Sequence, residues 1–553
     1  MTTNQRIPEP MPGAEPPVCG TVQVPLCDRV VTADLSGDFS LPDYQPEIKR
    51  LLRIGASATP PTHYEGGNGV DLAGNVDYFV LYMGNDDQVH CAPLSTEYRM
   101  QVPFDEGVEG SVSEPVVCLC SVSTEGMAGR VTAPRRLNIR CRVRARAHVY
   151  GERSLSCPDE AGLVPGSVER LESRVQVGRV YGGTSDLSRL QDDMILPQGT
   201  DMRVVCAEGQ VMINEASAGA AAVTCRGEVT LKLLLTQLAP PEMPVSPARG
   251  DAEPIPAAPP ASQPVERRSE VPTVALRRVP FAVTLDMPGV TPDCIACAYG
   301  ACSELSVQVE EGRIHTDLGV VVEAAAQRSE EISYTGDLFS TRSEGECRFA
   351  DCTADRALHV MQGNFTLSDS LSLAEAGIDP SAQVVDIQAA ALPESVSCSK
   401  GRSVLSGTCR FQLLLCRAGD WSTAEVTLPF RYECDLPVGA DAAQPAFDGS
   451  VTVVTARSRM DGERLGLDAE LAVSLRLTEA RLLHMLAGIR FGADIPRNRG
   501  EYVICFPTPT DTLWTVAKRY HVPLTALAAS NELPAAASPD APDSLAGMGY
   551  LIV

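Results

Sequence analysis

A chain of 553 residues is too long for a single hydrophobic core, and at about 100–200 residues per domain it should divide into three or four. Hydrophobic residues make up 44% and charged residues 21%, which fits neither wholesale disorder nor a fibrous class. Lys and Arg total 46 against 71 Asp and Glu; the net charge of −25 and the 5% aromatic content argue against a nucleic-acid surface built on phosphate contacts and base stacking.

No apolar run of about 18 residues appears, and the segment Met1-Thr2-Thr3-Asn4-Gln5-Arg6-Ile7-Pro8 lacks the apolar stretch of a signal peptide. The expectation is a cytoplasmic protein without a transmembrane segment. The 19 cysteines are odd in number and scattered, so reduced, mostly buried thiols are expected rather than a disulfide framework.

Residues 1–19 are read as a flexible N-terminus, and comparison of the rest of the chain with itself yields its organisation. A glycine opening a β-rich run occurs at Gly74, Gly227 and Gly407, followed downstream by Val102-Pro103-Phe104, Val279-Pro280-Phe281 and Leu428-Pro429-Phe430. From these phenylalanines it is 32, 32 and 34 residues to an arginine, Arg136, Arg313 and Arg464, that opens a second alternating run. Upstream of each glycine lies another β-rich segment: Tyr44 to Ile54, Met202 to Ile213 and Gln383 to Ala390. The expected fold class is therefore mainly β, with three tandem sandwich-like units at 20–160, 161–328 and 329–490. The prolines of the Pro-Phe pairs predict edge positions, because proline cannot donate to a ladder. Arg136, Arg140, Arg142 and Arg144 mostly alternate with apolar residues, as one solvated strand face requires, so they do not make a nucleic-acid site. Residues 239–275, rich in Pro and Ala, read as a long extended loop inside the second unit.

From 501 the period changes. Tyr502-Val503-Ile504-Cys505-Phe506 reads as a short strand stopped by Pro507, and Asp511 stands where a helix N-cap belongs. Leu513, Val516, Ala517 and Tyr520 form one amphipathic face, with Lys518 and Arg519 in the last turn. Pro523 suits the first position of a second helix, and Asn531 suits a left-handed closure. Leu551-Ile552-Val553 completes a strand–helix–helix–strand module at 501–553. Trp514, off the centre of the apolar stripe, reads either as a partner anchor or as packing in a small core.

Chemistry leaves little trace. Seven histidines lie far apart, and no phosphate loop or nucleophile turn occurs. Cys294-Ile295-Ala296-Cys297, with Cys302 near, lacks the second pair that would complete a zinc site. No catalytic residue, metal or cofactor is expected.

The residues Tyr502-Val503-Ile504, Thr510-Asp511-Thr512-Leu513-Trp514-Thr515-Val516-Ala517, Asn531 and Leu551-Ile552-Val553 resemble the LysM family. That resemblance implies a groove between the first strand–helix loop and the loop after the second helix, which in the family holds N-acetylglucosamine glycans. It points to Val503, Ile504, Asp511, Thr512, Leu513, Trp514 and Asn531 as partner- or glycan-binding residues. Thr510 replaces the usual glycine, and the loop from Pro534 to Gly549 is Ala/Pro-rich with its glycine displaced. The glycine, Pro-Phe and arginine order resembles the SPOCS domain of endospore-forming bacteria, tandem copies of which precede a LysM module in spore-coat morphogenesis. The joint resemblance implies a non-enzymatic adaptor in the mother-cell cytoplasm, tethering a coat morphogenetic ATPase or another coat protein to the forespore surface. The alternative is a glycan-binding protein.

Overall fold

The structure, a computed structural model, describes residues 18–105, 112–156, 167–196, 202–237, 272–440, 442, 445–496, 503–533, 539–541, 544–545 and 547–553. Residues 1–17, most of the proline-rich stretch and Tyr502 lie outside these. The described chain is mainly β, in antiparallel sheets, with two short helices near its C-terminus.

In the first part of the chain β1 (Val18–Ser40), β2 (Ile48–Ala58), β3 (Thr62–Gly66), β4 (Gly69–Gly84), β5 (Val89–Pro103), β6 (Val112–Ala133) and β7 (Arg136–Ser156) form two sheets, β1-β7-β6 and β2-β4-β5, with β3 also on β4. Next come β8 (Val168–Thr184), β9 (Ser188–Ile195), β10 (Met202–Ala218), β11 (Ala222–Gln237), β12 (Thr273–Asp286), β13 (Ile295–Glu310) and β14 (Arg313–Ser340), in sheets β8-β14-β13 and β10-β11-β12. There β9 and β8 pair with successive halves of β14. Then β15 (Ser343–Ser372), β16 (Gln383–Ser399), β17 (Arg402–Arg417), β18 (Asp420–Asp435), β19 (Ala446–Asp461) and β20 (Arg464–Asp494) form β15-β20-β19 and β16-β17-β18. The same strand order thus occurs three times. The expected boundary between 328 and 329 falls inside β14, and the chain reverses only at 341–342.

Period-2 burial drives the pairing. Leu137, Ile139, Cys141, Val143, Ala145, Ala147 and Val149 of β7 are all buried, as are Leu465, Leu467, Ala469, Leu471, Val473, Leu475 and Leu477 of β20. The outward arginines of β7 make ladder-spanning ion pairs instead: Arg142 with Asp34 at 2.7 Å and Arg144 with Glu125 at 3.2 Å. Each pair of sheets closes on a shared apolar core. Hairpin turns at Glu311-Gly312, Lys400-Gly401 and Ala418-Gly419 have positive φ at both central residues, the type I′ geometry that matches strand twist.

The recurring glycine has a steric cause. Gly227 pairs with Phe281 and Gly407 with Phe430, and a Cβ on Gly407 would stand 2.5 Å from the Phe430 ring and collide with the Leu392 carbonyl. The ring lies across the glycine and covers it. In the first unit Gly74 pairs with Tyr98, whose hydroxyl would meet a Cβ at 2.6 Å, while Pro103-Phe104 falls at the strand end opposite Gly69. The expected equivalence of Phe104 with Phe281 and Phe430 is therefore corrected by register: Tyr98 takes that place, six residues earlier. Pro280 and Pro429 lie within β12 and β18, both edge strands, where a missing N–H is tolerated.

Seven residues beyond the three glycines stand Leu81, Leu234 and Leu414, all buried in one cluster with Leu52, Val205, Val385 and Trp421. At these equivalent positions the three meandering sheets converge. A second junction is polar. Fully buried Arg476 donates to Asp448 Oδ2 at 2.8 Å and to the Tyr150 hydroxyl at 2.9 Å, and Tyr150 donates to Asp355 Oδ2 at 2.8 Å. The second half of β14 with β8, and the second half of β20 with the first half of β15, extend as two antiparallel ladders; Val177, Cys352, Ala354, Leu483 and Met485 on them join the first core, and the β14 end meets the C-terminal module.

Candidate functional site

The C-terminal module comprises β21 (Ile504–Cys505), α1 (Leu513–Tyr520), α2 (Leu524–Ser530) and β22 (Leu551–Ile552). Thr512, not Asp511, caps α1: the Thr515 N–H donates to Thr512 Oγ1 at 3.2 Å, and the Thr512 N–H donates to Thr515 Oγ1 at 2.8 Å. Asp511 sits one residue too early to cap. It accepts from the Thr508 N–H at 2.8 Å and pairs with Arg519 at 2.5 Å, and the Arg519 guanidinium holds its carboxyl below the usual carboxylate range. His521, with φ 54°, supplies the left-handed closure of α1. Pro523 caps α2 rather than opening it, and Asn531 has φ −115°. Its side chain instead pins β22 to α2, donating to the Leu527 and Ile552 carbonyls at 2.8 Å and accepting from the Ile552 N–H at 2.7 Å.

Trp514 is 2% exposed. Its indole packs edge-on against Phe339 of β14, ring centroids 5.1 Å apart, and its Nε1 donates to Asp337 Oδ2 at 2.8 Å. Lys518 Nζ reaches both Asp337 oxygens at 2.6 and 2.7 Å, and His521 Nδ1 lies 2.9 Å from the Ser340 carbonyl oxygen. Trp514 thus anchors the module to its own chain. Asp337 and Phe339 carry no motif and stand 177 and 175 residues away in sequence, so no sequence pattern joins them to Trp514.

The start of α1 is bonded to the segment after α2: Trp514 N–H donates to the Pro539 carbonyl at 2.8 Å, Leu513 N–H to Ser544 Oγ at 3.0 Å, and Thr512 Oγ1 to Asp540 Oδ1 at 3.3 Å. Leu513 is half-buried. Val503 and Ile504 lie elsewhere. In the ladder Ile504 pairs with Ile552 and Cys505 with Leu551; Cys505 and Leu551 face the core, while Ile504 (57% exposed), Phe506 (73%) and Tyr550 (55%) face outward, and Val503 (41%) pairs with Val553 on the Cys505 side. Continuing the register sets Phe506 opposite Tyr550. Sequence reasoning missed these two, although the alternation around Cys505 is their signal.

A second concavity lies among the paired sheets. It has a volume of about 1080 Å³ and is lined by the edge strands β2, β6, β10, β13, β16 and β19 together with residues of β7, β11, β12, β17 and β18. On its wall Lys232 Nζ stands 3.1 Å from both Glu208 and Asp386, and Arg53, beneath, pairs with Asp386 at 2.6 Å and Glu208 at 3.3 Å. Burial works against ionisation of Asp386, but Arg53 and Lys232 outweigh it and hold the carboxyl below its usual range. Ser121, Ser123, Thr230, Thr408, Thr427, Ser450 and Thr452 add hydroxyls. Glu323, buried next to this space, accepts from the Cys120 N–H and the Tyr299 hydroxyl at 2.7 Å, and burial raises its carboxyl to about 8. Among the described residues no group of three or more His, Cys, Asp or Glu could hold a metal ion, and no helix is long and apolar enough to cross a membrane. The described cysteines are free thiols, most of them buried.

No family model, curated protein or solved structure matches this chain.

Proposed function

We propose that this protein is a non-enzymatic structural adaptor, built of three copies of one β unit and a LysM-like tip, that attaches a coat morphogenetic ATPase or another coat protein to the forespore surface in the mother-cell cytoplasm. The observation that carries the docking reading is the outward face of the β21–β22 pair, where Ile504, Phe506 and Tyr550 remain exposed on the side opposite Cys505 and Leu551. A patch of aromatic and branched side chains of this kind is a common protein-docking feature. The alternative, glycan binding in the LysM groove, is disfavoured by the hydrogen bonds that tie the start of α1 to the segment after α2 and by the burial of Trp514 against Phe339.

The test is localisation of a fluorescent fusion during sporulation, with and without Phe506→Asp and Tyr550→Asp. A shell around the forespore that disperses in the double variant is the expected result. Uniform signal in the unaltered protein, or retention of the purified chain by peptidoglycan alone, refutes the reading.

A further inference from the structure

Cys91 on β5 and Cys206 on β10 stand 115 residues apart in sequence, yet their sulfurs are 2.9 Å apart. That is too far for a bond, which measures about 2.05 Å, yet within the hydrogen-bond reach of two thiols. Among the described residues each strand is the edge of its sheet, β5 pairing with β4 and β10 with β11. Arg203 Nη2 donates to the Val89 carbonyl at 2.9 Å beside the pair, so the two edges are already held together without a covalent link.

We propose that Cys91 and Cys206 are a disulfide-forming modification site that joins the first pair of sheets to the second when the protein meets a small-molecule disulfide of the glutathione class. The chemistry balances. Cys91, the half-exposed member, attacks one sulfur of the small disulfide as its thiolate and expels a small thiolate, leaving a mixed disulfide. Cys206 then gives up its proton to solvent and attacks Cys91 Sγ, forming the protein disulfide and expelling the second small thiolate. Two protein thiols are oxidised, and one small disulfide is reduced to two thiols that take up the two protons.

The order of attack follows from the surroundings. Hydrogen bonding with Cys91 and burial hold the Cys206 thiol well above its usual range, so Cys206 keeps its proton until the mixed disulfide has formed. The bridge would lie against Leu81, Val205, Leu234, Leu414 and Trp421, where all three meandering sheets meet. Closing so long a loop constrains the unfolded chain, so the oxidised body is the more stable one.

The experiment uses the full chain incubated with oxidised glutathione, alkylated and digested without reductant. The expected result is a peptide pair linking Cys91 to Cys206, with a melting temperature several degrees higher, both reversed by dithiothreitol. Cys91→Ser loses both effects, and Cys206→Ser retains glutathione on Cys91. Circular dichroism establishes that each variant is folded, and either one alone suffices as the control. Stable glutathione on Cys91 in the unaltered chain, no modification of either thiol, or linkage to other cysteines instead overturns the proposal.

Discussion

Asp337→Ala will loosen the C-terminal module from the β-rich body. Asp337 accepts from the Trp514 indole at 2.8 Å and from Lys518 at 2.6 and 2.7 Å, with its side chain 18% and that of Lys518 36% exposed. A hydrogen bond to a charged acceptor contributes about 1.5–3 kcal/mol. The partly exposed Lys518 pair adds roughly 0–1 kcal/mol once solvent screening is counted. The sum, about 2–4 kcal/mol, shifts the docked-to-undocked ratio by a factor of about 30 to several hundred. The module's own core, Cys505, Val516, Ala517, Leu527 and Leu551, does not include Asp337, so the module stays folded while its docking weakens. In a Trp421→Phe background Trp514 is the sole tryptophan and reports directly. The variant will show red-shifted emission, stronger acrylamide quenching and a larger radius of gyration by small-angle X-ray scattering. Unchanged quenching and an unchanged radius would falsify the claim that Asp337 holds the module in place.

Glu323 sets a pH dependence: its carboxyl is raised by burial from 4.5 to about 8, so the native state keeps a proton that the unfolded chain has released. The stabilisation is fully present below 4.5, falls as pH rises across that window by up to about 5 kcal/mol, and is lost above 8. Glu323→Gln will flatten the slope in denaturation series between pH 5 and 8.5, and an unaltered slope would count against it. Gly407→Ala, which drives a Cβ into the Phe430 ring and the Leu392 carbonyl, will cost about 1–3 kcal/mol or more. Gly466→Ala, whose nearest neighbour is Arg459 O at 3.5 Å, will be neutral or stabilising within about 1 kcal/mol in the same melts; equal losses would refute the steric account. Leu414→Ala, at the three-sheet junction, will cost about 2–5 kcal/mol by chemical denaturation, and a loss below 1 kcal/mol would mean that the junction is not a packed core.

Most strands were legible because each needs only its own alternation of apolar and polar residues to bury one face. Arg136, Arg313 and Arg464 mark the first residues of β7, β14 and β20 for that reason. The Phe104 misalignment has the opposite cause: Val-Pro-Phe is a local string, whereas the residue that covers Gly74 is chosen by hairpin register, and register placed Tyr98 there. The helix caps moved by one residue because Thr512 and Asp511 are both good caps on composition, and the reciprocal bond with Thr515 decides between them.

The chain alone therefore determined the strands opened by the recurring glycines and arginines, where the period changes to helical, and which glycines and prolines punctuate them, all of which depend on neighbours a few residues away. Only the tertiary structure decided that Trp514 is spent on Asp337 and Phe339, that Phe506 and Tyr550 face outward together, and that Cys91 meets Cys206. Those contacts join side chains far apart in sequence, whose meeting is set by how sheets pack and not by any local pattern.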